Sequence, residues 1–108
     1  MVIWSVSKQD LKKMADYKIS TLAEGDIDRI YEYGLEQFGE VLADKHHMEI
    51  YAHLDFIAEN PKLYSDSEFS GFKKSIYKGY SIFYRVMGDE SVYIVRIIGR
   101  QDQNRMFQ

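Results

Sequence analysis

The stretch Phe72-Lys73-Lys74-Ser75-Ile76-Tyr77-Lys78-Gly79-Tyr80-Ser81-Ile82-Phe83-Tyr84-Arg85-Val86 alternates along its whole length. Phe72, Lys74 and Ile76 fall on one side of an extended chain and Lys73, Ser75 and Tyr77 on the other, the period of two that a strand imposes. Lys78-Gly79 interrupts the pattern where glycine accepts the positive φ of a tight hairpin turn. Tyr80, Ile82, Tyr84 and Val86 then form one face of the returning strand. Met87 to Ser91 reads as a second turn. Val92 to Ile98 reads as a third strand, β-branched enough to be the best buried.

Upstream of this stretch the period is that of a helix. Thr21-Leu22-Ala23-Glu24 has the spacing of a capping box. Ile27, Ile30, Tyr31, Gly34 and Phe38 follow at helical intervals, with Asp26, Asp28, Arg29, Glu32 and Glu36 in the polar positions. Asp26 and Asp28 suit the positive end of the helix dipole, and Gly39 is placed to end the helix. Ala43, His47, Ile50, Tyr51, Leu54, Ile57 and Ala58 mark a second helix, which Asn60-Pro61 stops. So short a connection makes the pair an antiparallel hairpin, and Tyr17-Lys18-Ile19 is one short strand ahead of it. The order is β-α-α-β-β-β: an α+β fold with a helical hairpin packed on one face of a small, mainly antiparallel sheet. Residues 1–14 stand apart as an N-terminal extension, either a short helix capped by Ser7 over Asp10 to Met14 or a stretch upstream of a start at Met14. Residues 15–108 form a single domain.

Composition narrows the chemistry. The 108 residues hold no cysteine, which removes disulfides, thiolate catalysis and Cys-based zinc. No apolar run approaches the roughly 18 residues of a membrane span, and no secretory signal is evident, so the expectation is a cytoplasmic protein. The formal charge is only −3, but it is unevenly placed. Up to residue 67 there are thirteen acidic and seven basic side chains; beyond it, four and seven. An acidic helical part therefore precedes a basic sheet, a polarity that points to protein partners.

His46, His47 and His53 share a helix, but their spacings of one, six and seven bring no two side chains together as metal ligands. No metal or other cofactor is expected. No serine has the setting of a nucleophile. Lys73, Lys74, Lys78, Arg85, Arg96 and Arg100 supply cations for an anion, yet no histidine follows His53. A tyrosine, with an ordinary pKa near about 10, is a poor base. The residues suit anion binding better than acid–base catalysis.

Five segments together resemble the ParE branch of the RelE/ParE toxin superfamily. They are Tyr17-Lys18-Ile19-Ser20, the helix through Asp28-Arg29-Ile30-Tyr31-Glu32-Tyr33 to Phe38-Gly39, Ile57-Ala58-Glu59-Asn60-Pro61, Tyr80-Ser81-Ile82-Phe83-Tyr84-Arg85, and Val95-Arg96-Ile97-Ile98-Gly99-Arg100-Gln101-Asp102. The resemblance runs over about residues 15 to 102. It implies a toxin of a type II toxin–antitoxin module, bound and silenced by a cognate antitoxin. ParE-like members poison DNA gyrase, whereas RelE-like members cut mRNA on the ribosome. The chain departs from the family pattern at Gly79-Tyr80, where many relatives have Ser-His, and at Lys73 and Lys74, where arginines are usual. It also carries Gln101-Asp102 and then Phe107 where RelE-like enzymes place a Tyr or His acid–base group, which favours the non-enzymatic, gyrase-directed branch.

The resemblance implies a target surface of Arg96, Arg100, Gln101, Asp102 and Arg105. For the antitoxin it implies Lys73, Lys74, Tyr80, Tyr84 and Arg85, facing an acidic, amphipathic C-terminal segment. Specific nucleic-acid binding by the toxin alone is not expected. Two alternatives stay open: a ribosome-dependent mRNA interferase using Lys73, Lys74, Arg85 and Arg100, and a non-toxic co-repressor that only binds its antitoxin.

Overall fold

The computed structural model describes residues 17–99. Its elements are β1 (Tyr17–Ile19), α1 (Thr21–Phe38), α2 (Glu40–Glu59), β2 (Lys73–Tyr77), β3 (Tyr80–Val86) and β4 (Val92–Gly99). The sheet order is β1-β4-β3-β2, with β1 parallel to β4 and the other pairs antiparallel. The expected β-α-α-β-β-β order and mainly antiparallel sheet are both present. The expected N-terminal extension, residues 1–14, lies outside the described residues.

Local signals act much as their chemistry dictates. Gly39 takes φ 88° and ψ 171°, a region essentially closed to other residues, and there α1 stops and α2 begins. Lys78 and Gly79 both take positive φ in the β2–β3 turn. The cap of α1 falls one residue earlier than the capping box at Thr21 predicts. Ser20 is the N-cap, its Oγ accepting from the Ala23 N–H at 3.0 Å. The same hydroxyl donates to the Val95 carbonyl at 2.7 Å, a contact that Thr21, inside the helix, does not make. Phe38, on the predicted apolar stripe, is 63 % exposed; the stripe is buried only as far as Gly34, which faces Ala43 of α2.

The core lies between the hairpin and one sheet face. Ala23 and Ile27 of α1 and Ile50, Leu54, Ile57 and Ala58 of α2 meet Ile82 and Tyr84 of β3 and Val92, Ile94 and Ile97 of β4. A bulge lets both Ile94 and Ile97 reach it. Tyr84 pairs with Ile94 and Phe83 with Arg96, leaving Val95 unopposed and resetting the alternation of β4.

Asp26, read from the sequence as a polar surface residue near the helix start, is 2 % exposed. β1 accompanies β4 only as far as Ile94, and past that point the edge of β4 needs other partners. The start of α1 supplies them. The Ser20 N–H donates to the Ile94 carbonyl at 2.9 Å, and Asp26 Oδ2 accepts from the Ile97 N–H at 2.9 Å. Arg96 then neutralises the carboxylate with two bonds, from Nε at 2.8 Å and Nη2 at 2.9 Å, and Arg29 adds an outer contact.

Removing one member of a buried charge pair leaves the other unsatisfied. Asp26→Ala is expected to cost about 3 kcal/mol of stability in urea unfolding. Asp26→Asn, which keeps an acceptor for the Ile97 N–H, is expected to cost less.

Candidate partner-binding face

The β2–β3 register sorts the residues of the basic half onto two faces. Lys73 pairs with Tyr84, Lys74 with Phe83 and Ser75 with Ile82. Tyr84 and Ile82 are core residues, so alternation places Lys73, Ser75 and Tyr77 on the helix side. Phe72, Lys74, Ile76, Phe83 and Arg85 point to the other, open side, which is exposed at Ile76 and Arg85 but buried at Phe83, Ser81 and Ile98. Tyr93, paired with Arg85, and Lys18, paired with Tyr93, extend this face across the sheet.

Cations and rings interleave there. The Lys74 ammonium lies 5.8 Å from the centre of the Phe83 ring, and the Arg85 guanidinium 5.8 Å from that of Phe72. Both are within cation–π range. Phe69, from the loop before β2, sets its ring edge-on to Phe83 at 5.8 Å. Lys74 also bonds Glu68 at 3.1 Å. A backbone hydrogen bond and this lysine hold the Glu68 carboxyl below the ordinary carboxylate range.

The five residues expected to meet an antitoxin are thus divided by the pleat. Lys74 and Arg85 share the open face. Lys73 is on the other side, donating to the Tyr64 carbonyl at 3.2 Å and to Asp66 at 3.1 Å. Tyr80 is half-buried with its ring 5.6 Å from His46. Tyr84 is no surface residue: it is wholly buried, its hydroxyl donating to the Pro61 carbonyl at 2.9 Å. Of the residues expected to meet the target, Arg96 is committed to Asp26, while Arg100, Gln101, Asp102 and Arg105 lie outside the described residues. Phe72 shares strand parity with Lys74, and Phe83 with Arg85, and the β2–β3 register brings the two pairs onto one face. Phe69 sits in a loop without a period and carried no such signal.

β2 is pinned from behind by α2. His53 Nε2 lies 2.9 Å from Oγ of the buried Ser75, and the imidazole stacks on Tyr77 at 4.4 Å between centroids. Burial lowers the His53 pKa below its ordinary value. Lys78, in the β2–β3 turn, bonds Glu49 of α2 at 2.9 Å. His46 and His47 pack against tyrosines instead. Among the described residues no group of three or more His, Asp or Glu side chains is placed to hold a metal ion, and no helix is long and apolar enough to cross a membrane.

Residues 17–104 match the family model for the ParE toxin of the type II toxin–antitoxin system, parDE. Toxin ParE1 of Caulobacter vibrioides is 29 % identical over 87 residues, spanning 79 % of this chain and 88 % of that one. In fold the chain is like a structure titled "Chromosomal ParDE TA system from P. aeruginosa". The TM-score is 0.71 at 24 % identity, over 80 % of this chain and 96 % of the other.

The depressed His53 pKa has a definite sign in stability. The folded protein binds a proton at this site less readily than the unfolded chain does. The contribution is complete above the unfolded value near about 6.5 and is lost as pH falls below it toward the folded value. The urea midpoint is expected to drop between about pH 7 and pH 5.5, and to drop less in His53→Gln.

Proposed function

The chain belongs to the ParE toxin family of type II toxin–antitoxin systems, and from that membership we propose that it inhibits DNA gyrase by binding, without chemistry of its own, and is silenced by a cognate antitoxin. The observation that carries the non-enzymatic reading is the make-up of the open face. It offers Lys74 and Arg85 among aromatic rings, and no histidine among its described residues. His53, the histidine that reaches β2, is turned to the helix side against Ser75. Burial pushes the Tyr84 hydroxyl up to about 12, and burial with Asp55 and Tyr51 nearby does the same to Tyr17. A phosphate would find cations here but no group suited to move a proton at neutral pH. That disfavours the mRNA interferase, whose cations Lys74 and Arg85 nonetheless share this face.

The antitoxin reading rests on charge. Among the exposed charged residues of α1 and α2, carboxylates such as Glu24, Asp28, Glu32, Glu36, Glu40 and Glu59 outnumber the cations Arg29 and Lys45, beside exposed apolar side chains such as Phe38, Val41 and Met48. The sheet presents cations. Charge therefore favours the acidic part of such a segment on the sheet over the hairpin. We place the protein in the cytoplasm, where gyrase and the antitoxin are found, and assign it no cofactor.

Added to a gyrase supercoiling assay, the purified protein is expected to inhibit and to trap cleaved DNA, with the antitoxin relieving both effects. Primer extension on translated messages is expected to show them intact. Sharp cuts in the ribosomal A site would overturn the reading in favour of the interferase, and normal growth on induction of soluble protein in favour of the co-repressor. The Lys74→Glu, Arg85→Glu double variant is expected to bind antitoxin about tenfold more weakly or worse, with a shallower salt dependence.

A further inference from the structure

A strand at the edge of a sheet leaves every second residue with its N–H and C=O turned outward and unpaired. β2 is such a strand, and this chain covers part of its edge with its own residues. The segment 65–67 runs antiparallel beside it: the Lys74 N–H donates to the Ser65 carbonyl at 3.2 Å, and the Ser67 N–H to the Phe72 carbonyl at 2.8 Å. The segment is acidic as well as extended. Asp66 reaches Lys73 at 3.1 Å and Glu68 reaches Lys74 at 3.1 Å. Gly71, at φ 87°, and the Ser67 hydroxyl bonded to the Phe69 N–H shape the turn that brings it back.

This strap stops short. Phe72 and Lys74 turn their backbone groups outward, so alternation turns those of Ile76 outward too. Among the described residues the Ile76 N–H and carbonyl have no partner on that side, and the Ile76 side chain is 61 % exposed. The hold of the strap is also loose, because Asp66 and Glu68 are exposed and exposed ion pairs contribute little. We propose that residues 65–68 are a built-in competitor: an acidic strap on the β2 edge that an acidic, extended segment of the antitoxin displaces as it adds to the sheet.

The proposal rests on the antitoxin reading above and says where and how the antitoxin engages. The strap shows the chemistry the edge accepts, which is an extended backbone carrying carboxylates opposite Lys73 and Lys74. A longer incoming strand satisfies the same groups and gains the Ile76 pair and its apolar side chain besides. The strap meanwhile keeps the edge from pairing with other chains while no antitoxin is bound.

The test uses the full chain and its purified cognate antitoxin, read by binding affinity and by amide hydrogen exchange. The Asp66→Asn, Glu68→Gln double variant changes only exposed side chains, so its folding is not at stake. It is expected to bind about 3- to 10-fold more tightly than wild type at low salt, the gap closing as salt rises. In the wild-type complex the Ser67 amide is expected to lose protection, the Lys74 amide to keep it and the Ile76 amide to gain it. Binding with unchanged Ser67 protection and equal affinity for both proteins would overturn the strap while leaving the antitoxin reading intact. No binding by either protein would overturn both.

Discussion

A carboxylate at 2 % exposure sits where helix and sheet meet, and it is there because β4 runs past its neighbour. β1 is three residues long and leaves the N–H of Ile97 facing inward with no strand beside it. An unpaired amide at that depth would cost on the order of 1–3 kcal/mol. Asp26 accepts from it, and once buried the carboxylate needs a cation of its own. Arg96 answers with two bonds in the fork geometry that guanidinium offers a carboxylate. Helix α1 is thereby locked in register with β4, and through Gly34 against Ala43 the second helix follows. One short strand thus sets the need for a buried acid, and the acid withdraws an arginine from the surface.

The second constraint is the pleat. Lys73 and Lys74 are neighbours in sequence but lie on opposite faces of the sheet, one held beside Tyr64 and Asp66, the other against Phe83. Tyr84 and Arg85 are parted in the same way, one sealed in the core and the other over Phe72. A partner approaching the open face therefore meets Lys74, Arg85, Phe72 and Tyr93, and the charge of Lys73 only at the edge. The strap over β2 belongs to this geometry, since its two carboxylates reach the two lysines from one segment.

Part of the candidate face was legible in the sequence, namely Lys74 and Arg85. The period of two in 72–86 separates Lys74 from Lys73 and Arg85 from Tyr84, although all four were expected on one surface; that Lys74 meets Phe83 follows from the β2–β3 register. The basic character of the sheet and the acidic character of the hairpin were present in simple charge counts. Tyr84 has a hydroxyl compatible with either surface or core, so its place is not written locally. The choice was made by the Pro61 carbonyl, 23 residues earlier, which takes the hydroxyl's hydrogen bond. Asp26 and Arg96 are of the same kind, each an ordinary charged side chain in the sequence until the other is placed beside it.

Near neighbours along the chain carry two helices ended by Gly39 and by Asn60-Pro61, a hairpin turned at Lys78-Gly79, two strands of period two, a β-branched third, and their order. Those features depend on φ preferences and on side chains within a turn or two, so they are written locally. The tertiary structure alone decided that Ser20 rather than Thr21 caps α1, that β4 bulges at Val95, and that a charged pair is buried. The cap is chosen by a hydroxyl bond to Val95, 75 residues away, and the ion pair spans 70. A polar residue has no fixed place until the group that satisfies it has one, and here those groups come together only when the first helix closes on the last strand.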